Sequence, residues 1–407
     1  MVTQAAPTHR FTQERLGISL VFLVSGLWFA SWAGRLSVIS DVFSFSGTGL
    51  GTFLACLTAG SLMGLGLAPT LIRKVSTRRM LTFLPLALAF GLIALGLAVS
   101  IVRTPEIAYL TLFFSGIIFG ILDVTMNVYG AGVERRIGHS ILPSLHGFFS
   151  LGTLLGAGFA TLTITWQWYS FWHFGVVALV LCALAIWSVR LLSYEAKLGA
   201  KRLTSTPKPT GASPKYMLLL LGLMVAGLSF TEGAANDWLA VASHDGHGLP
   251  HSTGALMFTV FVAAMTIGRF GGGTVVDKLG AVRALLLLGT FGLVGVVLFI
   301  TGTSVALIAV GALLWGLGSS LGFPVGMSIA ASRSEKLGSR AVSIISTFGY
   351  AAMLGGPPVI GFLADFITVL PALWLAAAVL VVSLLITPFA GRTPRVSNTK
   401  PARSSAP

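Results

Sequence analysis

Twelve long apolar runs separated by short polar gaps decide what this chain can become. Residues 80–102 carry no charged side chain, and residues 284–332 carry none either. The second stretch holds two runs joined by a tight Thr301-Gly302-Thr303-Ser304 turn. A helix needs about 20 apolar residues to cross the hydrocarbon layer of a bilayer. No soluble core could cover this much apolar surface, so the chain is expected in lipid. The runs, numbered spans 1 to 12, fall near 16–39, 46–71, 80–102, 107–132, 143–166, 168–192, 215–240, 252–276, 284–302, 304–331, 341–364 and 368–390.

Of the 407 residues, 55% are hydrophobic and only 9% charged, which leaves no length for a sizeable soluble domain. A net charge of +14 would point to nucleic acid in a soluble protein. Here the positions of the charges point elsewhere. Of the 26 Lys and Arg, 23 lie in the N-terminal arm, in alternate loops and in the tail. Arg103 lies in an opposite loop, while Arg35 and Arg269 lie inside spans. This is the positive-inside bias of a multi-pass membrane protein with both termini in the cytoplasm. The lipid bilayer, not nucleic acid, is the expected partner. Cys56 and Cys182 fall inside apolar runs and read as packing residues. The first run is too long for a signal h-region with a cleavage site, so it reads as a retained helix.

Residues 193–214 form the one long polar stretch between runs, with Lys197, Lys201, Arg202 and Lys208 among Ser, Thr, Pro and Gly. We read it as a flexible cytoplasmic linker between two six-helix bundles, 1–192 and 215–391, followed by a disordered basic tail at 392–407. The halves echo each other. Phe149-Ser150 with Gly156 matches Phe348-Gly349 with Gly355 at an offset of 199 residues. Such repeats are a signature of secondary transporters. Gly60-Ser61-Gly64, Gly152-Gly156 and Gly268-Gly272 place small residues four apart, which lets helix backbones approach.

After span 8 the chain reads Gly273-Thr-Val-Val-Asp277-Lys278-Leu279-Gly280-Ala-Val-Arg283. Gly280 permits a sharp reversal between helices. Asp277 can cap a helix or pair with a cation, and with Lys278 and Arg283 it would latch one side of the bundle. This stretch resembles the loop signature of the major facilitator superfamily. The first-half copy keeps Arg73, Lys74, Arg78 and Arg79 but has Ile72 where the acid is expected, so the latch should be asymmetric. The resemblance covers the whole chain and implies an all-α membrane protein of twelve transmembrane helices in two pseudo-symmetric six-helix bundles.

Ionisable groups inside the spans are the functional candidates. Asp123 sits near the middle of span 4, with Asn127 one turn on. The pair resembles that of proton-coupled fucose-permease-type sugar symporters, which implies that Asp123 handles the coupling proton and helps hold solute hydroxyls. A structural Asp locked into helix packing is the alternative. Those symporters also carry an acid late in span 1, where this chain reads Trp28-Phe29-Ala30-Ser31-Trp32-Ala33-Gly34-Arg35. That stretch, with Glu134-Arg135-Arg136 and His146-Gly147, resembles a less well understood bacterial inner-membrane branch.

Span 7 carries Glu232, Asn236 and Asp237. Counting residues from each helix start puts Glu232 and Arg35 at similar depth, so these two are expected to pair across the cavity when the outer gate is closed, with Glu232 as a second proton carrier; Arg35 snorkelling to the outer interface beside a solvated Glu232 is the alternative. Trp28, Trp32, Arg35, Asn127, His146 and Asn236 are the candidate solute-binding residues, the tryptophans offering flat faces to a ring. His146 either joins a proton path or makes a helix-end hydrogen bond. Arg269 lies two turns above Lys278 and is assigned to the inner gate with Asp277, Lys278 and Arg283. His244, His247 and His251, with Asp245, read as an exposed loop, not as a metal set.

The expected activity is secondary active transport of a small polar solute, a sugar among the candidates, across the cell inner membrane by alternating access coupled to protons. Drug–proton antiport is the alternative. Span 5 reads Gly156-Ala157-Gly158 and the Gly356-Pro357-Pro358 feature falls in span 11, which favours uptake over efflux. No paired catalytic carboxylates, nucleophile elbow or nucleotide loop appears, so the chain is not expected to be an enzyme, and no cofactor or metal is expected. A monomer is expected.

Overall fold

Each of the twelve apolar runs becomes a helix long and apolar enough to cross a membrane. The computed structural model describes residues 7–137, 141–193, 215–332 and 339–390. The linker at 194–214 and the tail at 392–407 lie outside the described residues. Spans 1 to 6 run Thr12–Ala33, Gly47–Lys74, Thr77–Val102, Pro105–Ile137, Ser144–Thr165 and Ser170–Leu191. Spans 7 to 12 run Tyr216–Gly246, His251–Leu279, Ala281–Thr301, Val305–Met327, Thr347–Ile367 and Val369–Ala390. No strand occurs among the described residues. Large apolar side chains face outward along the spans, with Phe90 71% and Leu179 72% exposed. In water such a surface would aggregate; in a bilayer it is the solvated face. The protein is a multi-pass membrane protein.

The two halves use one packing scheme. In the first, span 1 packs on 5 and 6, span 2 on 4, and span 3 on 4 and 6. In the second, span 7 packs on 11 and 12, span 8 on 10, and span 9 on 10 and 12. Adding six to each number in the first set gives the second. The contacts between halves obey the same rule: span 2 meets 11, and span 5 meets 8. Two six-helix bundles related by pseudo-symmetry therefore build the fold.

Glycines set the closest of these contacts. A Cβ on Gly152 of span 5 would strike the carbonyl oxygen of Leu23 in span 1, and one on Gly64 of span 2 would strike that of Ile117 in span 4. Small residues four apart thus bring backbone onto backbone, as their spacing implies. Gly280 joins spans 8 and 9 at φ 77°, the left-handed region that the expected reversal needs.

The first expected span, 16–39, is too long. The helix stops at Ala33, turns at Gly34-Arg35 and restarts as a short helix, Leu36–Phe43. Hydropathy runs on unbroken through this point, so composition hides the break. The end of the bundle carrying the 2–3, 4–5 and 8–9 connections is the basic end. Near it, Glu14 of span 1 is buried and accepts hydrogen bonds from Arg136 of span 4 and from Ser193. Glu134 accepts from the backbone N–H groups of Ile141 and Leu142 at 2.8 and 2.9 Å, capping the helix of span 5.

At the opposite end the halves are drawn together. Gly47 and Gly51 of span 2 lie against Gly361 of span 11. The Asp365 carboxylate of span 11 accepts from the Thr48 N–H at 2.8 Å, at the N-terminus of span 2. Thr161 and Thr259 join spans 5 and 8 at 3.0 Å. At the basic end, Asp277 lies in the last turn of span 8, so it caps no helix N-terminus. Asp277, Lys278 and Arg283 are exposed, and Asp277 makes no ion pair among the described residues. The expected latch is not engaged in this conformation.

Candidate functional site

Arg269 and Glu232 form the centre of the site. Glu232 lies 16 residues into the 31-residue span 7, near mid-depth. The Arg269 Nη2 donates to Glu232 Oε1 at 2.6 Å, and its Nη1 donates to Ser150 Oγ of span 5 at 2.9 Å. One guanidinium thus joins spans 5, 7 and 8 and crosses from one half to the other. Its side chain is 20% exposed and that of Glu232 is 7% exposed, so the pair is largely withdrawn from water. The Thr266 hydroxyl, one turn before Arg269, also points to the Ser150 carbonyl at 3.4 Å.

This bears on two expectations. Arg269 meets Glu232 and Ser150, about two turns before Asp277 and Lys278 in span 8. Arg35 does not pair with Glu232. It lies in the turn that breaks the helix, 1% exposed, donating from Nη2 to the Trp168 carbonyl at 2.9 Å and from Nη1 to Ser170 Oγ at 3.2 Å. It braces the 5–6 connection at the end of the bundle, so matching its depth to Glu232 by counting along one helix failed. The signal for the true partner was present in the sequence. An arginine inside a span requires an acid, and Arg269 and Glu232 sit on neighbouring helices.

The remaining candidates divide. Asn236, one turn beyond Glu232, is buried with its Oδ1 unpartnered. Asp237 is half-buried. His146 is exposed, with its ring edge-on to Phe22 at 5.2 Å and within electrostatic reach of Arg269. Ser150 was not singled out as a solute or proton residue. The repeat at Phe149-Ser150 marked its position but not its role.

Asp123 keeps partial solvent access on span 4 and accepts from Asn127 Nδ2 at Oδ1, 3.2 Å away. Tyr350 of span 11 lies within electrostatic reach of the carboxylate. No hydrogen bond or ion pair among the described residues joins this pair to Glu232 and Arg269.

Trp28 and Trp32 are 1% and 0% exposed. Trp28 stacks on Phe119 of span 4 with centroids 5.1 Å apart, and Trp32 meets Phe29 edge-on at 5.4 Å. Both indole Nε1 atoms are buried without an acceptor. In this conformation the tryptophans pack spans 1 and 4 and offer no open face to a solute. Among the histidines around the 7–8 connection, His247 turns away to the Phe299 carbonyl at 2.8 Å. His244 and His251 stack on each other with centroids 3.7 Å apart and face Asp41, not Asp245.

Sequence and structure comparisons agree with this architecture. An uncharacterized MFS-type transporter of Yersinia pestis is 26% identical over 352 residues, covering 86% of this chain and 89% of the relative. The membrane protein MosC of Rhizobium meliloti is 26% identical over 364 residues, covering 88% and 86%. Among solved structures, the nucleoside transporter NupG superposes with a TM-score of 0.67 at 14% identity, over 95% of this chain and all of that one. The fucose:proton symporter FucP of E. coli superposes with a TM-score of 0.59 at 14% identity, over 94% and 98%. The family model described as Major Facilitator Superfamily matches residues 144–339 and 245–406. With twelve spans, paired halves and that match, the chain belongs to the major facilitator superfamily and is a transporter of some solute.

Proposed function

We propose that this transporter takes up a small polar solute, with sugars and nucleosides the first classes to test, and couples its movement to protons across the cell inner membrane. The observation that carries this reading is the Glu232–Arg269–Ser150 bridge at mid-depth. A proton and Arg269 compete for one carboxylate. With Glu232 protonated, the guanidinium loses its counter-ion and is free to meet a solute oxygen. Because Arg269 also holds Ser150 of the other half, exchanging these partners biases how the halves meet. Asp123, beside Asn127 and partly open to solvent, is the second proton-carrying group. Asn127, Asn236 and His146 supply neutral hydrogen-bonding groups suited to hydroxyls and carbonyls. The basic end is cytoplasmic by the positive-inside bias, so the conformation described has its outer end closed. A nucleoside transporter and a fucose:proton symporter among the structural neighbours support the solute class.

The test uses purified protein in sealed vesicles carrying a pH-sensitive dye inside. Neutral sugars, nucleosides and sugar acids are added outside in turn. One class should acidify the lumen on addition and accumulate when the outside is made acidic. A protonophore should abolish the accumulation. Transport of a solute with no proton movement and no response to the gradient would refute coupling.

A further inference from the structure

We propose that Asp41, His244 and His251 form a site for one divalent transition-metal ion of the Zn2+ class, with ligands from both halves of the protein. Asp41 lies on the short helix Leu36–Phe43 after span 1. His244 lies on the last turn of span 7, and His251 opens span 8. Gly248, at φ 67°, lets the intervening loop reverse and brings the two imidazoles face to face. Asp41 Oδ2 is 3.3 Å from His244 Nε2 and 3.0 Å from His251 Nε2. All three ligand atoms lie within 4.8 Å of one another. A tetrahedral zinc ion with bonds of about 2.0–2.1 Å holds its ligand atoms about 3.3 Å apart, so the two spacings from Asp41 need little adjustment.

The hydrogen bonds behind the imidazoles explain why a cation belongs here. His244 Nδ1 is 2.6 Å from the Leu249 carbonyl oxygen, which can only accept. Nδ1 therefore carries the hydrogen, and a neutral His244 turns a bare Nε2 lone pair towards the Asp41 carboxylate. That arrangement is repulsive unless a proton or a metal ion lies between them. His251 Nδ1 is 3.0 Å from Ser37 Oγ, a partner able to support either tautomer. Two protonated imidazoles would repel at a stacking distance of 3.7 Å. One metal ion satisfies both Nε2 atoms and the carboxylate at once. Leu249 and Ser37 act as the outer partners that fix ligand orientation. Asp245 stands within electrostatic reach of His244 and Asp41 and adds negative charge. Two imidazoles favour zinc, copper or nickel over magnesium or calcium. Asp41 is exposed and both histidines are half-buried, so an ion has access and a fourth position is left for water.

Because Asp41 belongs to one half and both histidines to the other, the complete site exists only when this end of the bundle is closed. Bound metal therefore stabilises that conformation. The test is zinc binding by full-length protein purified through a histidine-free tag, read by competition with a chromophoric chelator and by thermal shift. Wild-type protein should hold about one Zn2+ per chain with a dissociation constant below about 10 µM. His251→Ala and Asp41→Ala should each weaken binding more than Ser37→Ala, whose lost outer contact should cost about tenfold. Asp41→His, which supplies another ligand, should keep the ion and shows that the fold tolerates change at 41. Mg2+ should give no shift. Absence of zinc binding by the wild type, or Asp41→Ala and His251→Ala binding as tightly as the wild type, would overturn the proposal.

Discussion

Removing the charges of Arg269 and Glu232 together should cost about 3 kcal/mol less than the sum of the two single removals. The nitrogen and oxygen are 2.6 Å apart, and the side chains are only 20% and 7% exposed. Unit charges about 4 Å apart attract by about 4 kcal/mol at an effective dielectric of 20. Neutral Gln partners would keep a hydrogen bond worth about 1 kcal/mol, so the electrostatic coupling should be about 3 kcal/mol. Arg269→Gln leaves a carboxylate withdrawn from water, and Glu232→Gln leaves a guanidinium held only by Ser150. Each single change should cost about 3–5 kcal/mol. The double change should fall short of their sum by that coupling of about 3 kcal/mol. Equilibrium unfolding in mixed micelles of increasing SDS content, followed by tryptophan fluorescence, gives the four corners of the cycle. A coupling below about 0.5 kcal/mol would mean the two groups are independently solvated, and the site as described would be wrong.

Three further outcomes follow from the geometry. Exchanging the charges at Arg35 and Glu232 (Arg35→Glu with Glu232→Arg) should restore no transport, while Arg35→Met alone should raise hydrogen exchange in the 5–6 connection, measured by mass spectrometry. Gly152→Ala should lower stability by about 1–3 kcal/mol in the same unfolding assay, because its methyl meets the Leu23 backbone and not a flexible side chain. Burial lowers the His247 pKa from 6.5, and the hydrogen bond to Phe299 offsets this in part. The unfolded chain takes up the proton first as pH falls below 6.5, so stability is lost on acidification. The drop in melting temperature between pH 7.5 and 5.5 should therefore be smaller in His247→Gln than in the wild type.

The architecture was legible because lipid imposes simple rules. Span length, glycine spacing and the sidedness of Lys and Arg follow from hydrocarbon thickness, backbone approach and translocation bias. Gly280 could be placed at a reversal because its neighbours were two helix ends. The site was less legible. Asp123 and Asn127 shared a helix face, so their hydrogen bond was within reach of a periodicity argument. Arg35 was not, because the turn at Gly34 interrupts a run whose composition does not change. Asp41 meets His244 and His251 from more than 200 residues away in the sequence, and only the meeting of the two halves brings them together. Trp28 and Trp32 carried the right chemistry for a ring-shaped solute, but nothing in one helix shows which neighbour will cover them.

The bare backbone contacts of spans 1 with 5 and 2 with 4 have a mechanical consequence. Helices whose main chains already touch cannot slide closer, and separating them exposes peptide groups to lipid. The first bundle is therefore stiff along these pairs, and the give for a transport cycle is better supplied by the side-chain joints at the seam between bundles. Along that seam, beside the glycine approach of span 2 to span 11, the side-chain joints are hydroxyls, the Asp365 carboxylate, one guanidinium and an imidazole–carboxylate cluster, which can exchange partners without breaking a helix.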